Sequence, residues 1–283
     1  MELKKHGAEF FVPDGENIEK AISRTTVMGI SAHQDDLEIM AYHGIERCFG
    51  NDNEWFMGAV VTNGAGSSRD GIYKDYTDEK MQEIRKKEQK KAAYIGEYGS
   101  LALLNYKSSE VKDFKSSLVV DELADIIEKA SPSVIYTHNL ADKHDTHVST
   151  ALRVLKAVNK IHPLKRPEKI YGCEVWRSLD WMLDDHKTVL DVSGHPNMSA
   201  ALVELFDSQI IGGKRYDLAT SGRRLANATY FASHATDDIS ALTFAMDLTP
   251  LIQDNALNIE EYVLSYIQSF YDDVNERIKK FKG

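Results

Sequence analysis

The sequence predicts an α/β protein with a mostly parallel sheet flanked by helices. Through residue 160, short apolar runs alternate with segments whose apolar residues recur every three or four positions. This alternation is typical of βαβ units. Polar clusters rich in His and Asp directly follow two of the apolar runs, and open α/β sheets bind their ligands at the carboxyl ends of strands. The two observations together predict both the fold class and the place of the site.

The predicted elements follow from these patterns in chain order. Residues 1–24 are polar and are expected to form a leading arm with a short helix around 18–22. Strands are predicted at 25–32, 55–61, 101–104 and 133–137, and helices at 36–49, 78–95, 118–130 and 147–160. Beyond residue 165 we predict strands at 169–176 and 188–192, a helix at 197–210, and a basic, less regular segment at 214–233.

The end of the chain predicts an amphipathic helix over 258–281. Apolar residues recur there at intervals of three or four, and Asn258 with Glu261 resembles a capping box. We expect this helix to pack on the core or on a partner. No Pro/Gly/Ser-rich linker divides the chain, so we predict one domain over 1–283 with 254–283 as a C-terminal helical extension.

Composition narrows the classes of partner. The chain has 283 residues, of which 42% are hydrophobic, so it can bury a large core. Its formal charge of −10 argues against nucleic acid and anionic membranes as partners. No apolar run approaches membrane-spanning length, and the first residues lack the apolar core of a signal peptide. Cys48 and Cys173 are expected to be buried free thiols, and the predicted location is the cytoplasm.

The first polar cluster follows the strand predicted at 25–32. His33 and Asp36 are three residues apart in a turn and can converge on one point, and an imidazole with a carboxylate suits Zn²⁺. Asp35 then lies beside the metal and is free to move protons. The alternative is structural, with one Asp capping the next helix and His33 a satisfied buried histidine.

The second cluster follows the strand predicted at 133–137 and contains His138, Asp142, His144, Asp145 and His147. A solvated polar loop would explain a single histidine in such a place. Two strand ends that both carry His and Asp are harder to explain in this way. Right-handed crossovers would bring both clusters to one crevice, so we favour a metal site.

These residues resemble the PIG-L/LmbE-like zinc-dependent de-N-acetylase family. The run Ala32–Glu38 is similar to the family signature Ala-His-Pro-Asp-Asp-Glu, and residues 142–147 are similar to its Asp-x-His-x-x-His segment. Residues 60–66 also resemble its Val-x-x-Thr-Asp-Gly loop. Three positions depart from the pattern. Gln34 replaces the proline, Leu37 replaces an acid that stands one position later as Glu38, and Thr146 replaces an aspartate.

The resemblance implies a Rossmann-like α/β fold and a zinc hydrolase. Carried over by position, it makes His33, Asp36 and His147 the ligands of one Zn²⁺ per chain, with other divalent ions as alternatives. It makes Asp35 the general base for attack by zinc-bound water, and His144 the group that stabilises the oxyanion if protonated. The implied substrate is a small N-acetylated amino sugar or glycoside of the N-acetylglucosamine type.

Other assignments have open alternatives. Arg69 and Asn63 are candidate substrate contacts, although Arg69 is equally well explained as a surface residue. Asp142 or Asp145 is expected to orient His144. Arg215, Arg223 and Arg224 are better explained as surface charges. A non-catalytic α/β module that binds a sugar or nucleotide, and a metal hydrolase of another amide or ester, are the competing functions. The sequence leaves the oligomeric state open, with a homo-oligomer as one alternative.

Overall fold

The fold is organised by one eight-stranded sheet. The structure is a computed structural model, and it describes residues 1–282. The strands are β1 (Glu9–Phe11), β2 (Val27–Ser31), β3 (Phe56–Thr62), β4 (Ser100–Tyr106), β5 (Val134–His138), β6 (Lys169–Cys173), β7 (Thr188–Asp191) and β8 (Leu242–Asp247). Their order in the sheet is β1-β4-β3-β2-β5-β6-β8-β7.

The helices cover both faces of this sheet. They are α1 (Ile18–Ser23), α2 (Asp36–Met40), α3 (Tyr42–Cys48), α4 (Asp78–Ile95), α5 (Ser108–Lys112), α6 (Leu118–Ala130), α7 (Asp145–Lys160), α8 (Pro196–Glu204), α9 (Asp207–Ile210), α10 (Tyr216–Tyr230), α11 (Pro250–Gln253) and α12 (Ile259–Lys282). Among residues 1–282, no helix has both the length and the apolar character needed to cross a bilayer.

The five central strands, from β4 to β6, are parallel. β2 pairs with β3 on one side and with β5 on the other. The chain places β3 and β4 on the first side of β2 and then crosses over to place β5 and β6 on the second side, so the strand order reverses between β2 and β5. Gly29 of β2 is opposite Tyr136 of β5, which brings the carboxyl ends of the two strands together. Ligand sites of open α/β sheets lie at this kind of switch point.

Packing on both faces explains why the central strands are apolar throughout. Every residue of β2 and β3 is buried. Ile30 and Ala59 belong to the cluster that α6 and α7 complete, whereas Val27 and Val60 belong to the cluster that α2 and α3 complete. A strand that is covered on both faces shows a continuous apolar run, which is the pattern seen in the sequence.

The predicted fold class is confirmed, including the C-terminal helix. α4 and α6 have the predicted bounds. The helix predicted at 36–49 is divided at Ala41, and the one predicted at 197–210 is divided between α8 and α9.

The periphery differs from the prediction in three places. The segment 214–233 contains a regular helix, α10, of 15 residues. The apolar residues of the leading arm form β1, which pairs antiparallel with β4. β8 was not predicted, and it lies antiparallel between β6 and β7.

Candidate metal and active site

The first motif forms the turn between β2 and α2. Ser31 Oγ donates a hydrogen bond to the His33 carbonyl oxygen at 3.0 Å and closes the turn locally. Asp35 has φ of 88°, a conformation that is rare for a residue with a Cβ. Its backbone N–H donates to Gln89 Oε1 of α4 at 3.3 Å. The turn therefore keeps Asp35 in a strained conformation, as is common at functional sites.

The two motifs meet at three possible ligand atoms. His33 Nδ1 lies 3.1 Å from Asp36 Oδ2 and 3.2 Å from His147 Nε2. His147 Nε2 is 3.4 Å from Asp36 Oδ2. Four ligands placed tetrahedrally at the usual zinc distances are about 3.3 Å apart, so these three atoms have the spacing of such a set. His33 and His147 are 114 residues apart in the chain, and the sheet brings them together.

Asp142 holds His147 in this orientation. Asp142 Oδ2 lies 3.1 Å from His147 Nδ1, and Asp142 Oδ1 accepts from the His144 backbone N–H at 3.1 Å. The Asp142 carboxylate is thus bound to His147 and to the backbone, not to the His144 ring. Burial would raise the pKa of Asp142, but its hydrogen bond with His147 more than offsets this, and the pKa is lowered. The carboxylate stays charged and leaves Nε2 of His147 free for a metal.

Burial also determines the charge of the candidate ligands. Burial first, and then the neighbouring His138, lowers the pKa of His147 to about 4, so the imidazole is neutral at pH 7 with a lone pair available. Burial opposes ionisation of Asp36, yet His147 and His138 together lower its pKa well below the usual range. A neutral imidazole beside a charged carboxylate is the state in which these groups bind metal.

His138 is a further histidine of the site. It is fully buried, and its ring stacks on His147 with the centroids 3.9 Å apart. Its Nε2 accepts from the Ala32 backbone N–H at 2.8 Å and lies 3.4 Å from Asp36 Oδ2. Because the Nε2 lone pair of His138 accepts the hydrogen bond from Ala32, it is not free to bind a metal. His138 instead packs against His147 and Asp36 and helps to hold them in place.

Asp35 faces a different set of partners. Its Oδ2 lies 3.3 Å from Arg85 Nη2, and both side chains are almost fully buried. Burial raises the pKa of Asp35 well above its usual value, Arg85 opposes this, and the charge of Asp36 adds to it. A carboxylate with a raised pKa is a better proton acceptor at neutral pH than an exposed one.

Arg85 connects the motif to the glycine loop after β3. It donates to the Gln34 carbonyl oxygen and to Ser67 Oγ. Gln34 is buried, and its Nε2 donates to the Thr62 carbonyl oxygen at 3.0 Å, so it ties the turn to β3. Gly64 has φ of 73°, and a Cβ there would lie 2.5 Å from Gln34 Oε1. Only glycine fits at this contact.

Glu38 lies beneath the turn in a buried network. It accepts hydrogen bonds from Tyr98 Oη at 2.6 Å and from Gln89 Nε2 at 2.7 Å. Burial raises the pKa of Glu38 to about 7, although both donors lower it. Gln89 also accepts from the Asp35 N–H, so this network supports the strained residue. Leu37, which replaces the acid of the family signature, is wholly in the core.

Arg224 was expected at the surface, and that expectation is wrong. It is buried and donates to the carbonyl oxygens of Glu38 at 2.7 Å and Ile39 at 3.2 Å. Its guanidinium lies over the Tyr42 ring, 4.4 Å from the centroid. Through these hydrogen bonds α10 holds α2 in place. Arg223 caps carbonyl oxygens of the segment after β6, and Arg215 is exposed and pairs with Asp217.

A cavity of about 430 Å³ opens above these groups. Its lining includes His33, Asp35, Asp36 and His147. It also includes His144, whose ring centroid lies 5.0 Å from that of His33. The remaining lining residues are Gly64, Gly66, Ser67, Ser68, Arg85, Ser108, Lys112, Thr146, Val175, Trp176, Gln209, Lys214 and Tyr216. The cavity thus joins the candidate metal ligands to polar and aromatic side chains.

Three predicted site residues lie elsewhere. Arg69 pairs with Asp78 and donates to the Ala65 carbonyl oxygen at 2.8 Å. Asn63 Oδ1 accepts from the Ala65 N–H at 3.2 Å and shapes the same loop. Asp145 is exposed in the first turn of α7. Of the residues that the structure describes, these three are not in the cavity wall, so their site roles stay predictions.

Solved structures with this fold come from several organisms. An N,N'-diacetylchitobiose deacetylase from Pyrococcus horikoshii is 14% identical with a TM-score of 0.64, over 83% of this chain and 88% of that one. A conserved protein from Thermus thermophilus is 16% identical with a TM-score of 0.63, over 83% and 99%. The 4-carboxy-2-hydroxymuconate hydratase from Pseudomonas putida is 18% identical with a TM-score of 0.60, over 79% and 96%.

At these identities the neighbours show the fold alone. No curated protein matches the sequence. A family model does match, over residues 28–158, and its description is PIG-L: GlcNAc-PI de-N-acetylase. The matched stretch contains the turn with His33, Asp35 and Asp36 and the segment with Asp142 and His147. The resemblance predicted from the two motifs is confirmed, because residues 28–158 match the model of the PIG-L family.

Proposed function

We propose that this protein is a metal-dependent hydrolase that removes the acetyl group from an N-acetylated amino sugar of the N-acetylglucosamine type. The observation that carries the proposal is the juxtaposition of three ligand atoms within 3.4 Å of one another and a separate buried carboxylate, Asp35, in the wall of one cavity. The description of the matching family as a de-N-acetylase supports the reaction.

His33, Asp36 and His147 would hold one divalent cation, which we propose to be Zn²⁺. Two imidazoles and a carboxylate suit Zn²⁺, although they also accept Fe²⁺ or Mn²⁺. A cation at such a site supplies Lewis acidity, which polarises a carbonyl and lowers the pKa of water. Asp142 would keep His147 in the correct tautomer for this purpose.

In the proposed mechanism Asp35 removes a proton from the attacking water. The oxygen forms a bond to the acetamide carbonyl carbon, and negative charge develops on the carbonyl oxygen. The C–N bond then breaks, and the proton held by Asp35 passes to the leaving nitrogen. The products are acetate and a free amine. Arg85 and the Asp35 N–H bond to Gln89 fix the carboxylate in place for both transfers.

His144 is placed to stabilise the developing charge. Burial, with a contribution from His33, lowers its pKa, so the ring is neutral at pH 7. A neutral ring would donate one N–H hydrogen bond to the oxyanion, so His144 would not need to be protonated for this role. Within residues 1–282, the buried Nδ1 atom of His144 has no hydrogen-bond partner.

The cavity suits a sugar. Trp176 and Tyr216 line the cavity with their ring centroids 5.9 Å apart, and we propose that they contact the apolar face of a pyranose. Ser67 and Gln209 offer hydrogen bonds to hydroxyl groups. Arg69 and Asn63 stay proposed contacts of a longer substrate.

The two free cysteines are buried, which supports the cytoplasm as the proposed location.

The fold by itself does not select this reaction, since one protein with the same fold is a hydratase. The test is a panel of N-acetylated amino sugars assayed for free amine, together with metal analysis of the purified protein. We expect stoichiometric zinc and amine release that a chelator abolishes. A binding module would contain no stoichiometric metal and would keep its ligand affinity after chelation.

Asp35→Asn separates chemistry from metal binding. It should retain the metal and lower kcat by about 10²–10⁴-fold, because it removes only the base. Asp52→Asn, an exposed change in the turn before β3, is the matched control and should behave like the wild type. Full activity of Asp35→Asn would contradict the mechanism.

A further inference from the structure

α12 carries an apolar stripe that nothing covers in the described chain, residues 1–282. Its first two turns rest on the body of the protein. Val263 is buried there, and Tyr262 Oη donates to the Asp247 carbonyl oxygen at 2.6 Å. Beyond Tyr266 the helix continues for four more turns with large apolar side chains exposed to solvent. These side chains are Ile267 (38% exposed), Phe270 (37%), Tyr271 (63%), Val274 (39%), Ile278 (58%) and Phe281 (81%).

The spacing of the stripe is that of a helix that packs against another helix. Ile267, Val274 and Phe281 are seven residues apart, and Leu264, Tyr271 and Ile278 repeat with the same period. Phe270 lies beside the row of Ile267, Val274 and Phe281. A seven-residue apolar repeat forms a seam along one side of a helix and is buried when two such helices pair. A patch of this kind on a soluble protein marks an interaction surface.

The charges of α12 indicate which partner fits. The first turn of the helix carries Glu260 and Glu261, and its last turn carries Lys279, Lys280 and Lys282. An antiparallel copy of the same helix would place its basic end beside the acidic beginning, and the reverse at the other end. A parallel copy would place like charges together. α12 is therefore self-complementary in the antiparallel arrangement, which is the arrangement that a two-fold axis produces.

We propose that α12 is a dimerisation helix, and that two copies of this chain associate through antiparallel pairing of the stripe from Leu264 to Phe281. The interface is isologous, because each helix contributes the same residues to both halves. This inference does not depend on the proposed hydrolase activity, since α12 is not part of the cavity wall described above.

Sedimentation velocity of the full chain at about 10–50 μM tests the pairing, because a dimer with a Kd of about 1 μM or tighter is mostly assembled at such concentrations. We expect the mass of two chains for the wild type and of one chain for the double variant Ile267→Glu/Val274→Glu. The matched control, Ser265→Glu/Ser269→Glu, adds the same charges to the other side of α12 and should remain a dimer. Circular dichroism of each variant checks that the helix is intact. A monomeric wild type, or a dimeric Ile267→Glu/Val274→Glu protein with intact helix, overturns the proposal.

A charge exchange tests the orientation. Glu260→Lys/Glu261→Lys alone, and Lys279→Glu/Lys280→Glu alone, should each weaken the dimer by about tenfold at low salt, because each creates like-charge contacts. The variant with all four substitutions should recover wild-type affinity. If neither Glu260→Lys/Glu261→Lys nor Lys279→Glu/Lys280→Glu weakens the dimer, the antiparallel pairing is wrong.

Discussion

Proteins usually bury apolar side chains and expose charged ones. The switch point between β2 and β5 and the outer part of α12 depart from this pattern in opposite ways. At the switch point, charged side chains such as Asp35, Asp36 and Arg85 are almost wholly buried. On α12, Ile278 and Phe281 are exposed for most of their surface. Buried charge and exposed apolar surface both cost free energy, so each needs a compensating role. The first indicates chemistry, and the second indicates association.

The comparison predicts that the two regions can be damaged independently. Changes at the switch point should remove metal or activity and leave the mass unchanged. Changes on the stripe should alter the mass and leave the metal in place. The following variants test this separation at the switch point, in order of expected effect.

His147→Ala should have the largest effect, with loss of metal and of all measurable activity. The substitution removes one of three proposed ligands, and it leaves Asp142 without its ring partner. Metal analysis and the amine assay measure the result, and sedimentation should still give the dimer. His234→Ala, at an exposed loop position, is the control. Stoichiometric metal in His147→Ala would show that the ligand assignment is wrong.

Asp142→Asn should have an intermediate effect. The amide cannot stabilise the His147 tautomer as the carboxylate does, and loss of such a partner typically costs about 10–100-fold in metal affinity or activity. Competition with a chelator measures the affinity. Asp185→Asn is an exposed control of the same chemistry. An unchanged affinity would remove Asp142 from the support of the site.

Tyr98→Phe should have the smallest effect on activity. It deletes the donor at 2.6 Å from Glu38, and a buried carboxyl group that loses a partner costs about 1–3 kcal/mol in the free energy of unfolding. Urea denaturation measures this, and kcat should fall only a few-fold because Gln89 still holds Asp35. Tyr94→Phe, at an exposed tyrosine of α4, is the control. Equal stability of the two variants would show that the Glu38 network does not support the turn.

The residues near each motif could be predicted because their signals are local. The strand before His33, the strand before His138 and the bounds of α4 and α6 all follow from apolar periodicity within one element. The parallel sheet predicted that both motifs lie at the same edge, because parallel strands end there. The choice of His33, Asp36 and His147 among the candidates was implied by the resemblance to the PIG-L/LmbE-like family. The exposed seam of α12 is visible in the sequence as a repeat of seven.

The partners of these residues depend on contacts between distant elements. Arg85 and Arg224 look like surface charges, because each lies directly beside another basic residue in its helix. Both are buried because each satisfies backbone carbonyl oxygens at the first motif. β8 was missed because a short apolar run is ambiguous until a neighbouring strand offers hydrogen bonds.

The sequence by itself determined the fold class, the two motifs and the residue types that can bind a metal, since these depend on periodicity and on chemical identity. The tertiary structure decided which atoms come within 3.4 Å of one another, that Asp142 holds His147, and that Glu38, Gln89 and Tyr98 support Asp35. The reason is physical. A side chain's charge state and partners depend on burial and on elements up to 186 residues away, and no local pattern encodes these.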